Sequence, residues 1–143
     1  MEIRNAEVTK KDYVSFKEMH DIFQYAGSKD CSRKAIIKDY NQYAEYAENE
    51  WIIFAVEGGE VVGYAILTPY DDMAVKIQEV YIKKDVQRNG HGRKFVYGLR
   101  DFLREEGFRR IEVFSATMET DGFWEMCNFI SLNGLEEYVY VIR

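Results

Sequence analysis

The chain has 143 residues, 47% of them hydrophobic, and a formal charge of -6 at neutral pH; it can bury one substantial core and is too short for two ordinary domains, so a single domain over 1–143 is expected. The acidic balance argues against nucleic acid as a partner, because neutralising phosphates needs a surplus of Lys and Arg on one face. The N-terminal run MEIRNAEVTKKDY lacks the apolar stretch of a secretory signal, and nothing approaches the roughly 18 consecutive apolar residues of a membrane span, so a soluble, cytoplasmic protein with no membrane partner is expected.

Residues 2–8 suit a short strand, and the helical spacing of Tyr13, Phe16, Met19, His20, Phe23 and Ala26 predicts a helix that stops near Gly27. After GSKDCS, Ser32 is placed to cap a second helix whose Ile36, Tyr40, Tyr43 and Ala47 share one face. WIIFAV (51–56) and VVGYAIL (61–67) are apolar runs joined by EGGE, the pattern of a hairpin, and Pro69, the single proline, is expected to end it. AVKIQEVYI (74–82) reads as a central strand, with Val75, Ile77, Glu79 and Tyr81 on one face and Val80 and Ile82 on the other. Beyond the glycines of VQRNGHGRKF (86–95), Phe95, Val96, Leu99, Phe102 and Leu103 form a helical stripe closed by Gly107. RRIEVFS (109–115) is the next strand and GFWEMC (122–127) a short helix. FISL and LEEYVYVIR form two strands around the Asn133-Gly134 turn. The order gives an α/β fold: a mixed sheet with helices on both faces.

The two glycines, Gly90 and Gly92, lie between the central strand and the first turn of the long helix. Unpaired backbone N–H groups and the positive end of the helix dipole face outward there, which makes an anion-binding site. Missing side chains would let a diphosphate approach the backbone, and Arg88 and Arg93 are near enough in sequence to screen its charge. Basic residues crowd this region, whereas Glu45, Glu48, Glu50, Asp71 and Asp72 lie elsewhere. Neither the dinucleotide fingerprint nor a P-loop is present, since no third glycine and no Gly-Lys-Ser/Thr follow.

At this point the sequence resembles the GNAT superfamily of N-acetyltransferases. Its cofactor loop reads Q/R-x-x-G-x-G/A, which Gln87-Arg88-Asn89-Gly90-His91-Gly92 fits after the strand end Val80-Tyr81-Ile82. The likeness extends through the order of elements to Phe123-Trp124-Glu125-Met126-Cys127-Asn128-Phe129, similar to the family's late F-Y-E-K-x-G-F segment. The resemblance implies a mostly antiparallel twisted sheet of six to seven strands with about four helices. It also implies acetyl-coenzyme A as cosubstrate, with its pyrophosphate on the amides from Arg88 to Arg93 and its pantetheine arm along Tyr81 and Ile82.

Moving an acetyl group from a thioester to an amine requires the ammonium, with a pKa of about 10.4, to lose a proton. Glu79, on the central strand where the family often carries an acid, is the candidate base; a solvated or Lys-paired Glu is the alternative. The family's tyrosine that protonates the leaving thiolate is replaced by Trp124, whose indole donates a hydrogen bond but transfers no proton at neutral pH, so core packing is the better reading of it. The acid is then another residue, with Tyr81, Tyr138 or Tyr140 as candidates, or solvent. Thr117 and Thr120 also depart from the family pattern. A non-catalytic acyl-coenzyme A sensor stays open for the same reason.

His91 is expected to point to solvent, and Cys127 to be a buried inert thiol. Cys31, Cys127, His20 and His91 offer no metal-ligand spacing and no disulfide framework, so no metal is expected. Asp71 and Asp72 could attract a cationic substrate or be an ordinary charged loop. The C-terminal Tyr138, Tyr140 and Ile142 are read as an edge through which two chains pair into a homodimer. The acceptor is a primary amine of a small molecule or protein that the sequence does not specify.

Overall fold

The computed structural model of the chain describes residues 1–26, 37–49, 51–85, 90–114, 118–132 and 137–142, with backbone alone at 24–26, 114 and 118–121. In chain order the elements are β1 (Glu2–Asn5), α1 (Lys10–Ala26), α2 (Tyr40–Asn49), β2 (Trp51–Glu57), β3 (Glu60–Asp71), β4 (Ala74–Ile82), α3 (His91–Glu105), β5 (Arg110–Phe114), α4 (Met118–Met126), β6 (Ile130–Ser131) and β7 (Glu137–Val141). The seven strands form one sheet in the order β1-β2-β3-β4-β5-β7-β6. Every neighbouring pair is antiparallel except β4 and β5, which run parallel. This is the mixed, mostly antiparallel architecture anticipated from the sequence.

Local chemistry explains most of the boundaries. Gly58 (φ 57°) and Gly59 (φ 82°) supply the two left-handed residues of the β2–β3 turn, a conformation costly for other residues. The α3 stripe buries Phe95, Val96, Leu99 and Leu103, each contributing about 1.5–3 kcal/mol through apolar burial. Gly107 (φ 96°) ends that helix as Phe108 N–H donates to Leu103 C=O at 2.9 Å and Gly107 N–H to Arg104 C=O at 3.1 Å. One sheet face packs Ile53, Ala65, Val75, Ile77 and Ile111 against α3 and Trp124 of α4. The opposite face packs Ile52, Phe54, Tyr64 and Ile66 against Phe16, Met19 and Tyr43 of α1 and α2.

Several boundaries differ from the sequence reading. β1 stops at Asn5, not Val8, because Asp12 gathers the next turn: its carboxylate accepts from Arg4 at 2.8 and 3.0 Å and from Glu7 N–H at 2.8 Å. α2 begins at Tyr40, with Asp39 as its cap. Asp39 Oδ1 accepts the Gln42 N–H at 2.9 Å, and Gln42 Oε1 accepts the Lys38 N–H at 2.6 Å, a reciprocal pair that satisfies two exposed donors. The cap expected at Ser32 and the helical placement of Ile36 lie outside the described residues. Pro69 does not end β3, which continues to Asp71. β2 pairs with β3 only as far as Leu67, so one side of Pro69 has no ladder for a missing N–H to break. α4 also begins earlier than Gly122, at Met118.

The expectation for β7 is corrected too. It lies between β5 and β6, so it does not end the sheet as expected: its outer side is paired within the chain at Tyr138 and Val139. No helix among the described residues is long and apolar enough to cross a membrane.

One irregularity decides which way the central residues point. Ile66 pairs with Glu79 but Leu67 pairs with Ile77, so Gln78 is an extra residue in β4. Such a bulge changes the side-chain alternation by one. Val75 and Ile77 therefore share the α3 face with Val80 and Ile82, whereas Glu79 and Tyr81 turn to the α1 face. The single face expected for Val75, Ile77, Glu79 and Tyr81 is split between Ile77 and Glu79.

Candidate active site

β4 and β5 pair from Ala74↔Arg110 to Ile77↔Val113, and among the described residues the parallel ladder goes no further. Beyond that point β4 continues to Ile82 while β5 turns to β7 alone, pairing Phe114 with Glu137. Lys83 N–H donates to Val62 C=O at 2.9 Å, so Lys83 and Val62 are a bonded pair. Alternation along the antiparallel ladder then directs the backbone groups of Ile82 and Val80 away from β3, toward the side that β5 has left. Val80 and Ile82 thus present their backbone groups on the side of β4 where its described pairing with β5 has ended.

The N-terminus of α3 follows at the end of that strand. Gly90 is its cap residue with φ 72°, in the left-handed region, and has no side-chain cap hydrogen bond. The helical ladder begins with Lys94 N–H to Gly90 C=O at 3.1 Å, so the N–H groups of His91, Gly92 and Arg93 precede it and lie at the positive end of the dipole. A Cβ added at Gly92 would meet Phe123 Cε1 at 3.1 Å, while Gly90 has open space around it. Arg93 is exposed and donates to Tyr97 Oη at 3.0 Å. His91 is half-buried with Nε2 3.8 Å from Glu57 Oε1, which corrects the expectation that it points to solvent: the β2–β3 turn reaches it. Gln87, Arg88 and Asn89 lie outside the described residues.

On the α1 face, Glu79 is 3% exposed. Tyr64 Oη donates to Glu79 Oε2 at 3.1 Å, His20 Nδ1 lies 3.0 Å from Tyr64 Oη and 3.4 Å from Glu79 Oε2, and Glu79 Oε1 has no partner among the described residues. Neither alternative considered for Glu79, a solvated face or a lysine partner, describes it. Leaving a buried acceptor unpaired costs about 1–3 kcal/mol. Tyr81 sits half-buried two residues further on, its ring 5.9 Å from Tyr64 and 6.1 Å from Phe23 of α1. Burial, and then the charge of Asp85, holds its phenol above the ordinary tyrosine range. Burial followed by the Glu79 charge does the same to Tyr64.

The late aromatic segment closes the α3 face. Trp124 is buried against Phe123 and Phe129, each with a ring-centroid separation of 5.1 Å, as core packing requires. Cys127 is a free, buried thiol whose pKa burial raises, against the opposing charges of Arg93 and Arg100. Tyr138 and Tyr140 pack in this same layer and so stand on the opposite sheet face from Glu79. Thr117 and the side chain of Thr120 lie outside the described residues.

The Acetyltransferase (GNAT) family model matches residues 15–129. The chain belongs to this family. No curated protein matches its sequence. Among solved structures, an aminoglycoside 6'-N-acetyltransferase complexed with coenzyme A aligns with a TM-score of 0.75 at 13% identity, covering 100% of this chain and 98% of the other. Tetrahymena GCN5 gives 0.74 at 10% identity over 99% and 95%. The ribosomal-protein-alanine N-acetyltransferase from Brucella melitensis gives 0.70 at 16% over 99% and 99%. These likenesses establish the GNAT fold, and the family establishes the reaction class as acetyl transfer.

Within the GNAT fold, the sequence reading located the strand end, the glycines and Glu79, and it missed His20 and Tyr64. His20 carried a signal of its own, a polar residue on an otherwise apolar helix stripe. Tyr64 carried none, because a tyrosine in an apolar strand is ordinary packing.

Proposed function

We propose that the chain is a single-domain N-acetyltransferase that moves an acetyl group from acetyl-coenzyme A to a primary amine of a small molecule or protein by direct attack in a ternary complex. The observation that carries this is the sequence of three features along one strand and its exit: the buried carboxylate of Glu79 on β4, the backbone of Val80 and Ile82 directed away from β3 past the described end of β5 pairing, and the N-terminus of α3 beyond it, which has no side-chain cap hydrogen bond. The residues present fit the cosubstrate. The amides of Gly90, His91, Gly92 and Arg93 would hold the pyrophosphate, with Gln87, Arg88 and Asn89 completing the loop, and the backbone of Val80 and Ile82 would receive the amide groups of the pantetheine arm as a further strand would.

Acetyl-coenzyme A supplies an acyl group activated as a thioester. Glu79 takes the amine's proton through water at Oε1, the carboxylate oxygen that Tyr64 leaves unoccupied. Tyr81 stays protonated across the neutral range because its phenol is shifted upward, so it holds a proton at Oη for the departing sulfur.

Acetyl-coenzyme A is expected to raise the melting temperature while NAD and ATP leave it unchanged. A ligand at 100 times its dissociation constant stabilises by about 2.7 kcal/mol. A screen of pooled primary amines with a thiol-detecting readout then tests turnover. No thermal shift at millimolar acetyl-coenzyme A would refute the cosubstrate assignment. Stabilisation with no thiol release for any amine would favour the acyl-coenzyme A sensor.

A further inference from the structure

His20, Tyr64 and Glu79 bring three polar side chains from α1, β3 and β4 into a space where the first and last are each 1% exposed and Tyr64 is fully buried. Their contact rests on three atoms: His20 Nδ1, Tyr64 Oη and Glu79 Oε2, with separations of 3.0, 3.1 and 3.4 Å. Tyr64 brings one proton to this group, and an ionised carboxylate brings none. If Nδ1 were bare, three acceptors would share a single proton, and two buried lone pairs would face each other. A proton on Nδ1 removes the conflict: His20 donates to Tyr64, and Tyr64 donates to Glu79. Phe16, stacked on the imidazole at 4.8 Å and 20°, fixes the ring in the plane this requires.

We propose that His20 is a positioning residue for acetyl transfer: its Nδ1–H orients Tyr64, which commits its own proton to Glu79 Oε2 and leaves Oε1 as the atom that accepts the proton of the amine. This rests on the reading of Glu79 as the proton acceptor. The described titratable groups around the carboxylate are His20 from α1, Tyr64 from β3 and Tyr81 from its own strand. The hydrogen bond donated to the carboxylate therefore comes from Tyr64, which His20 in turn orients. Removing the Nδ1–H weakens support for the ionised carboxylate, so activity is lost at a higher pH as the solution is acidified.

The test has one arm that needs no turnover. The chain has two histidines, so in protein labelled with nitrogen-15 histidine the signal missing from His20→Phe belongs to His20. That signal should show the Nδ1–H tautomer in the free enzyme. In the second arm, His20→Phe should move the acid limb of the kcat profile upward by up to about one pH unit, the size of the one hydrogen bond that holds Tyr64 toward the carboxylate. KM for acetyl-coenzyme A should stay within about twofold, since uniform binding is untouched. His20→Asn, which keeps an N–H donor near the Nδ1 position, should restore most of the profile and covers the case in which the phenylalanine variant folds poorly. An Nε2–H tautomer, or a His20→Phe profile that overlays the parent, overturns the role of His20. Full activity in Glu79→Gln overturns instead the reading on which it rests.

Discussion

Replacing Glu79 by Gln should lower turnover at neutral pH by roughly 10²-fold or more while leaving affinity for acetyl-coenzyme A nearly intact, the pattern of a lost general base. The amide keeps the size of the carboxylate and still accepts from Tyr64 at the Oε2 position, so packing is not the variable. What disappears is the ability to hold a proton at Oε1. The deficit should shrink as pH rises toward the amine's own pKa, near 10.4 for an alkylamine, because the amine then arrives already deprotonated. Trp124→Phe is the matching control: its indole is buried among Phe123 and Phe129, and the change should alter rate only through packing, with no such pH dependence. Full activity of Glu79→Gln at neutral pH, beside a folded but inactive Trp124→Phe, would mean that the working residues have been assigned wrongly.

The second large effect is expected at the start of α3. Gly92→Glu places a carboxylate beside N–H groups at the positive end of the helix dipole, where we propose the diphosphate binds, and like-charge contact there costs several kcal/mol. Affinity for acetyl-coenzyme A should fall by roughly 10²-fold or more. Gly92→Ala separates charge from bulk, because any Cβ at this position meets Phe123 Cε1 at 3.1 Å and Cζ at 3.5 Å. The alanine variant should lose less than about tenfold, since a displacement of a few tenths of an ångström by one ring relieves the contact. Equal losses in the two variants would trace the effect to Phe123. Equal affinity of Gly92→Glu and the parent would remove the loop from the binding site.

Much of this arrangement was legible in the sequence because it is local. The hairpin turn needs Gly58 and Gly59, the α3 stripe is one helical face, and the glycines that open α3 follow directly on a strand. The Gln78 bulge was not legible. Val75, Ile77, Glu79 and Tyr81 keep an unbroken alternation in the chain, and only the pairing of β4 with β3 shows that the faces exchange between Ile77 and Glu79. His20 and Tyr64 escaped for the same reason, since the contact between them spans 44 residues and no local pattern encodes it. Asp39 and Gln42 were a readable capping pair, passed over because Ser32 offered an earlier cap with no structural competitor in view. β7 looked like an edge because it ends the chain, yet the shorter β6 folds back outside it.

The family assignment fixes acetyl transfer, and the β4–β5 divergence is where we propose it takes place. A crystal structure with coenzyme A bound tests that placement most directly. The pyrophosphate should lie within hydrogen-bonding distance of the backbone N–H groups of Gly90 to Arg93, and the pantetheine amides should bond the backbone of Val80 and Ile82, with the sulfur directed toward the side of the sheet that carries Glu79 and Tyr81. Coenzyme A bound elsewhere, or in this cleft with its pyrophosphate away from the start of α3, would contradict the account.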